Sequence, residues 1–442
     1  MYRKTTLENG IRVVTESMAE ARTLSIGIVV DASPRDEPLE QSGLAHLTEH
    51  ALFQGTSSRD ALQIARLMDS AGGQMGAFTT RDYTCYHATV LDDYRTYVLD
   101  LFGDLLLNST FPAPKLEREK QSILREIDAY RDAPQSRLDA ILKAVAWPLH
   151  PLGRPIAGLP ETVSALTRED VIYFIHENYL PNRIIIAAAG NVEHADFVAH
   201  VRDAFWRLLG QSSPAAAMST QIRPAVACEH APVNQAYFAL GIPAHCFTHA
   251  DRYRLHVLNT LLGGGISSRL FRKIREQHGL VYDIGSEYQA FRDNGMLVVE
   301  GSTSPEHLMP VLELTLNVLW DLATGEEPAD DDELWKAKMQ LRGHHSIAGE
   351  STHTRMSRLA VQELYFGCHL GSDEVLAQIE AVNREDLNRL AGCWLHEALE
   401  CATIAVVGPE APQHYGKELI ERLLANYLRA PALTLGEPCR AT

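Results

Sequence analysis

The chain has 442 residues, 45% of them hydrophobic, and a formal charge of −17. That length exceeds what one core usually organises and implies two domains of about 200 residues each. The acidic balance argues against a nucleic-acid or anionic-membrane surface, since either needs a basic footprint.

The opening MYRKTTLENGIRVV lacks the long apolar core of a secretory signal, and no later run reaches the length of a membrane span. A soluble, cytoplasmic protein is therefore expected. The seven cysteines, at 85, 228, 246, 368, 393, 401 and 439, are odd in number and form no close pair. Reduced thiols, most of them small core residues, fit that scatter.

In chain order, LENGIRVV predicts a hairpin, because Asn9-Gly10 favours a tight turn between segments of alternating polarity. LSIGIVVDAS, TCYHATVL (84–91) and RIIIAAAGNV are strand candidates, and 58–70 carries a helical pattern. Strands mixed with long helices make the fold class α+β.

Between them GLAHLTEHALFQGT places His46, Glu49 and His50 inside an apolar helical segment. Residues four apart project from one helix face, so His46 and His50 form a ready pair of zinc ligands with Glu49 beside them. The spacing H-x-x-E-H is the inverzincin pattern. Further on, PAPKLEREKQSILREIDAYRDAP puts Leu116, Glu119, Ile123, Glu126, Ile127 and Tyr130 on one stripe. Two carboxylates thus fall on the face turned to the core. Either a divalent cation shared with the histidines or an ion pair to a core arginine offsets their burial. Two histidines and one carboxylate would leave zinc an open position for water, with Glu49 placed to take the water's proton.

The second half repeats the plan of the first. LTREDVIYFIHENYLPNRIIIAAAGNV and VNREDLNRLAGCWLHEALECATIAVVGPE each run helix then strand, offset by about 216 residues, with Thr or Asn as the expected helix cap. A segment poor in periodicity joins the halves, giving domains 1–212 and 234–442 with a linker at 213–233. The offset sets LGGGI opposite HLTEH and Arg342 opposite Glu126, so only the first half keeps the clustered polar groups.

These motifs resemble the pitrilysin-type metallopeptidases, an inverzincin family that includes the mitochondrial processing peptidases and many short bacterial processing proteases. LENGIRVV, SGLAHLTEHALFQGT, FTTRDYTCYHATV, SILREIDAYRDAP, HPLGRPIAG and LGGGISSRLFRKIREQHGLVY carry the resemblance, which spans nearly the whole chain. It implies two homologous domains, each a mostly antiparallel sheet with helices packed on it, together forming half of a closed chamber. It also implies one Zn2+ held by His46, His50 and Glu126, with Glu49 as general base and Glu119 as a second catalytic glutamate. Arg275 and Tyr282 match the family's substrate-binding element; without the resemblance they read as a surface arginine and a strand tyrosine. Ala77 and Phe78 match a substrate-binding strand, although Gly76-Ala77 stands where the family often has Asn-Ala. The neighbouring strand at 84–91 is expected to accept an extended peptide along its edge.

The expected activity is zinc-dependent endopeptidase cleavage of short unfolded peptides or precursor segments, by a homodimer or a heterodimer with a related subunit. The alternative is a non-catalytic, peptide-binding assembly subunit, against which the intact Glu49 and Glu126 count.

Overall fold

The structure is a computed structural model that describes residues 1–211 and 220–428. Of the expected linker, 213–219 lie outside the described residues, as does Cys439. The chain divides into two compact units. The first comprises Met1–Ala129, Arg154–Ala216 and Ser346–Leu370; the second comprises Tyr130–Gly153, Ala217–His345 and Gly371–Thr442.

The first unit is built on a six-stranded sheet in the order β1-β2-β6-β3-β5-β4. Its strands are β1 (Tyr2–Thr6), β2 (Arg12–Ser17), β3 (Thr23–Val30), β4 (Gln74–Thr79), β5 (Thr84–Leu91) and β6 (Ile184–Gly190). The first two form the expected hairpin, although Thr6 pairs with Arg12, so the loop is five residues rather than a two-residue turn. Every pairing is antiparallel except β2 with β6. The strand 84–91 is therefore not an edge: β5 is bonded to β3 on one side and β4 on the other. The free edge on that side is β4, because the tight turn after Thr79 folds the chain back and leaves β4 outermost.

Helices cover both faces of this sheet. One face carries Ile26, Ile28, Tyr86 and Ala88 against α1 (Leu44–Leu52), α3 (Arg95–Asn108) and α4 (Ala113–Asp132), with α2 (Ala61–Ser70) lying beside β4. The expected helix at 58–70 starts only at Ala61, because Asp60 caps it, accepting the N–H of Gln63. The opposite face carries Val14, Val29, Cys85, Ile185 and Ala187 against Met356, Leu359 and Ala360 of the helix Thr352–Phe366. Close approach there depends on Gly27, where an added Cβ would lie 2.2 Å from the fully buried Met356 Sδ. Gly27→Val is expected to cost about 1–3 kcal/mol by overpacking, read as a lowered midpoint of urea unfolding.

The second unit has a five-stranded sheet in the order β7-β11-β8-β10-β9. Here β7 is Ala225–His230, β8 Ala236–Ala244, β9 Asp283–Ala290, β10 Gly295–Thr303 and β11 Thr403–Gly408. Only β7 with β11 is parallel. One face packs Phe238, Leu240, Ile404 and Val406 with the helices Arg252–Gly263 and Leu308–Thr324. The other carries Ala239, Met296, Val298, Ala405 and Val407 beneath Leu138, Leu142 and Ala146 of α5 (Pro134–Ala146) and Trp147 just beyond it. Each unit thus takes a covering helix from the opposite half of the sequence, and the two helices hold equivalent places in the repeat.

The paired caps are present: Thr167 accepts the N–H of Asp170, and Asn383 that of Asp386. Among the described residues no helix is long and apolar enough to cross a membrane. Six described cysteines are free thiols, yet only Cys85 is buried, so most are not core residues.

Candidate metal centre

The motif helix α1 is rich in Leu and Ala and lies buried over most of its length, with His46 only 9% and Glu49 7% exposed. The long helix α4 crosses near it and anchors itself through Leu116, Ile123 and Ile127, with the buried Lys120 donating to the Leu166 carbonyl at 2.9 Å. Tyr130 leaves this stripe and is half exposed. Glu119 and Glu126 also keep part of their surface, 20% and 32% of the side chain, and so are less buried than the helical spacing implies. They project beside the histidine face of α1 rather than into the apolar core.

His46 Nε2 and His50 Nε2 lie 3.8 and 3.9 Å from the same oxygen, Glu126 Oε2. These separations are too long for hydrogen bonds. They approach the spacing of about 3.4 Å between donors that share a tetrahedral ion bound at about 2.0–2.1 Å. The two imidazoles meet at 73° with centroids 4.7 Å apart, so their planes are not parallel and one ion can lie in both. His50 Nδ1–H donates to Glu119 Oε2 at 3.0 Å, which fixes the tautomer and leaves Nε2 facing Glu126. His46 Nδ1, in contrast, is buried without a hydrogen-bond partner among the described residues, so packing alone orients that ring. Burial first, then the neighbouring His50, lowers the His46 pKa to about 4, keeping the ring neutral at pH 7 as a ligand must be. The donor set and its geometry fit a zinc ion.

A second cluster, His245, His249 and Asp251, also has donor atoms within 4.8 Å of one another. Its rings are stacked at 3.7 Å with only 14° between planes. Lone pairs in parallel planes do not meet, and His249 Nδ1 already accepts the Asp251 N–H at 3.1 Å. Ring orientation, not donor proximity, separates the two clusters.

Glu49 sits close enough to His50 and Glu126 for their charges to bear on its ionisation. Burial raises its pKa, opposed by a hydrogen bond from Thr79 Oγ1 to Glu49 Oε2 at 2.6 Å. Thr79 was not foreseen from the sequence, where the first residue of the Thr79-Thr80 pair carries no periodic signal. It closes β4, and alternation puts Ala77 on the same face of the strand. Phe78 points to the opposite face, against Tyr83 and His87. Among the described residues no strand lies beyond β4.

In the second unit the Arg275 guanidinium lies between two rings, 4.6 Å over Phe271 and 5.0 Å from Tyr282. Tyr282 is 78% exposed. The structure thus brings Arg275 and Tyr282 together and adds Phe271, whose four-residue spacing from Arg275 was legible in FRKIR. Gly263 ends the helix Arg252–Gly263, and Ile266 beyond it is exposed.

Comparison with known proteins agrees with this construction. The family model described as insulinase (peptidase family M16) matches residues 12–159, and the peptidase M16 inactive domain matches 165–341. A Bacillus subtilis protein named an uncharacterized zinc protease is 34% identical over 92% of this chain and 99% of its own. One of the same description from Mycobacterium tuberculosis H37Rv is 38% identical over 92% and 93%. The probable beta subunit of the mitochondrial-processing peptidase of Arabidopsis thaliana is 29% identical over 92% and 78%. In fold, a protease from Helicobacter pylori superposes with a TM-score of 0.85 at 21% identity, covering 92% of this chain and 100% of that one. A Pseudomonas fluorescens peptidase M16 inactive domain gives the same score at 20% identity, covering 93% and 98%. With matched regions spanning most of its length and relatives above 30% identity, the chain belongs to the insulinase family of peptidases, family M16.

Proposed function

We propose that the protein is a zinc-dependent endopeptidase acting on short unfolded peptides or precursor segments, with His46, His50 and Glu126 as metal ligands and Glu49 as general base. The gathering of three donors from two helices within 4.8 Å of one another, on rings whose planes are not parallel, carries this reading. Zinc at such a site supplies a Lewis acid and a water acidified to near neutrality.

The residues of the chain do the rest. Thr79 holds Glu49 Oε2 by donating to it, which leaves Oε1 to take a proton from the attacking water and return it to the leaving amine. Glu119 keeps the proton of His50 on Nδ1. The free edge of β4 offers backbone groups to an extended peptide, and the small Ala77 beside Thr79 lets that peptide approach. Phe78 contributes through its backbone there, since its side chain lies on the other face. Arg275, with its guanidinium beside the Phe271 and Tyr282 rings, is a donor for a peptide carbonyl or its developing oxyanion. Arg275→Ala is expected to lower kcat/KM by roughly 10², the effect of losing one such donor, in initial-rate measurements on a quenched peptide.

We further infer assembly as a homodimer or a heterodimer with a related subunit, which light scattering at about twice the 49.0 kDa chain mass tests. The free thiols support a reducing compartment such as the cytoplasm. The function itself is tested by turnover of an unstructured quenched peptide that stops on chelation and returns with zinc. Hydrolysis unaffected by complete removal of metal would overturn it.

A further inference from the structure

The motif helix begins without a cap of its own. Gly43 stands at its N-cap with φ +97 and no side chain to offer, and its first turn holds no acidic residue. The helix nevertheless starts abruptly and is buried from Leu44 onward.

Its first amides are met by a residue six positions earlier. Glu37 Oε2 accepts the N–H of Gly43 at 3.0 Å, and Oε1 accepts that of Ala45 at 2.6 Å. Glu37 is 5% exposed. Its own segment is anchored in turn: Arg154 Nη1 donates to the Glu37 carbonyl at 2.9 Å, and Ser33 caps the short turn Pro34–Asp36 before it. Burial pushes the Glu37 carboxyl up to about 7, against the pull of the two amides and of Arg154, so keeping it there costs stability that a simpler cap would not. Gly43 has no room to supply that cap, because an added Cβ would meet the Ala157 carbonyl oxygen at 2.8 Å.

We propose that Glu37 is the positioning residue of the metal-binding helix: by gripping two amides with two oxygens it fixes the rotation of α1 about its axis, and so aims His46, Glu49 and His50. This rests on the zinc-peptidase reading of the same site. Side-chain donors lie about 5–6 Å from a helix axis, so a rotation of about 10° displaces them by about 1 Å. Metal–ligand distances tolerate only about 0.2 Å. Packing of the buried α1 restricts that rotation, and a two-point grip restricts it further than a single-point cap would. A carboxylate at a helix N-terminus also favours the macrodipole, but that effect is indifferent to rotation.

Glu37→Gln is the discriminating variant, since it keeps size and shape but replaces one acceptor oxygen with an NH2 that confronts an N–H. Glu37→Asp retains the charge and shortens the reach, and the exposed Glu40→Gln serves as control. Each full-length protein is loaded with cobalt(II), whose visible spectrum reports ligand geometry without turnover, and is then assayed as the zinc form on a quenched peptide. For Glu37→Gln we expect an altered cobalt spectrum, tenfold or weaker metal affinity, and kcat lowered at least tenfold with KM within twofold; Glu40→Gln should match wild type. A wild-type spectrum and kcat in Glu37→Gln would overturn the proposal. So would losses in both Glu37 variants that merely follow the unfolded fraction, with a wild-type spectrum for the folded remainder. Failure of the wild type to show a cobalt spectrum that His46→Ala abolishes would bring down the zinc reading, and this proposal with it.

Discussion

Glu49→Gln is expected to retain one zinc per chain and an unchanged fold while losing about 10²- to 10⁴-fold in kcat, the range for removing a general base. The substitution is nearly isosteric, and the glutamine oxygen still accepts the Thr79 hydroxyl that now binds Oε2. What disappears is the capacity to take a proton. We assign Glu49 the base role rather than a place in the ligand set because Thr79 donates to its carboxylate from β4, whereas both histidines approach Glu126 of α4. Zinc content measured beside peptide turnover checks the separation: full metal with lost activity is the expected pattern. Equal rates for variant and wild type would remove Glu49 from the reaction.

His46→Ala is expected to abolish both metal and activity, with zinc falling from about one per chain to near zero and kcat/KM falling at least 10³-fold. Two remaining donors do not make the three protein ligands of a catalytic zinc site. Glu119→Gln should behave differently. Its carboxylate accepts from His50 Nδ1, so its loss weakens metal affinity by about 10- to 100-fold while saturating zinc restores full occupancy. Metal titrations of the two variants distinguish a ligand from the group that orients one. Similar affinities in both would contradict this division of roles.

Much of the fold and the site was legible in the chain. The strand read at 84–91 is β5 to the residue, because β-branched and aromatic residues alternate between clear boundaries. The caps at Thr167 and Asn383 announced themselves by residue type, and the histidine pair by its spacing on a helix. Periodicity, however, reports that an element has an apolar face and not what covers it. Neither α5 nor the helix Thr352–Phe366 was singled out in the sequence, and nothing in either segment says that each packs on the sheet of the other half. Strand order was hidden for the same reason: β4 is the free edge only because the chain returns from it directly into β5. Glu119 and Glu126 shared the stripe of Ile123 and Ile127, and sequence could not tell a core-facing carboxylate from one that keeps 20% or 32% of its side chain exposed. Thr79 and Glu37 were missed because Thr79 meets Glu49 across 30 residues of sequence, and Glu37 meets the Gly43 and Ala45 amides from outside the helical register.

Whether one zinc ion joins α1 to α4 is decided by diffraction from crystals grown with zinc, recorded on both sides of the zinc absorption edge. One anomalous peak per chain is expected, within about 2.0–2.1 Å of His46 Nε2, His50 Nε2 and a Glu126 oxygen. A peak at His245 and His249 instead, or a fully zinc-loaded protein with no peak between α1 and α4, would contradict the assignment.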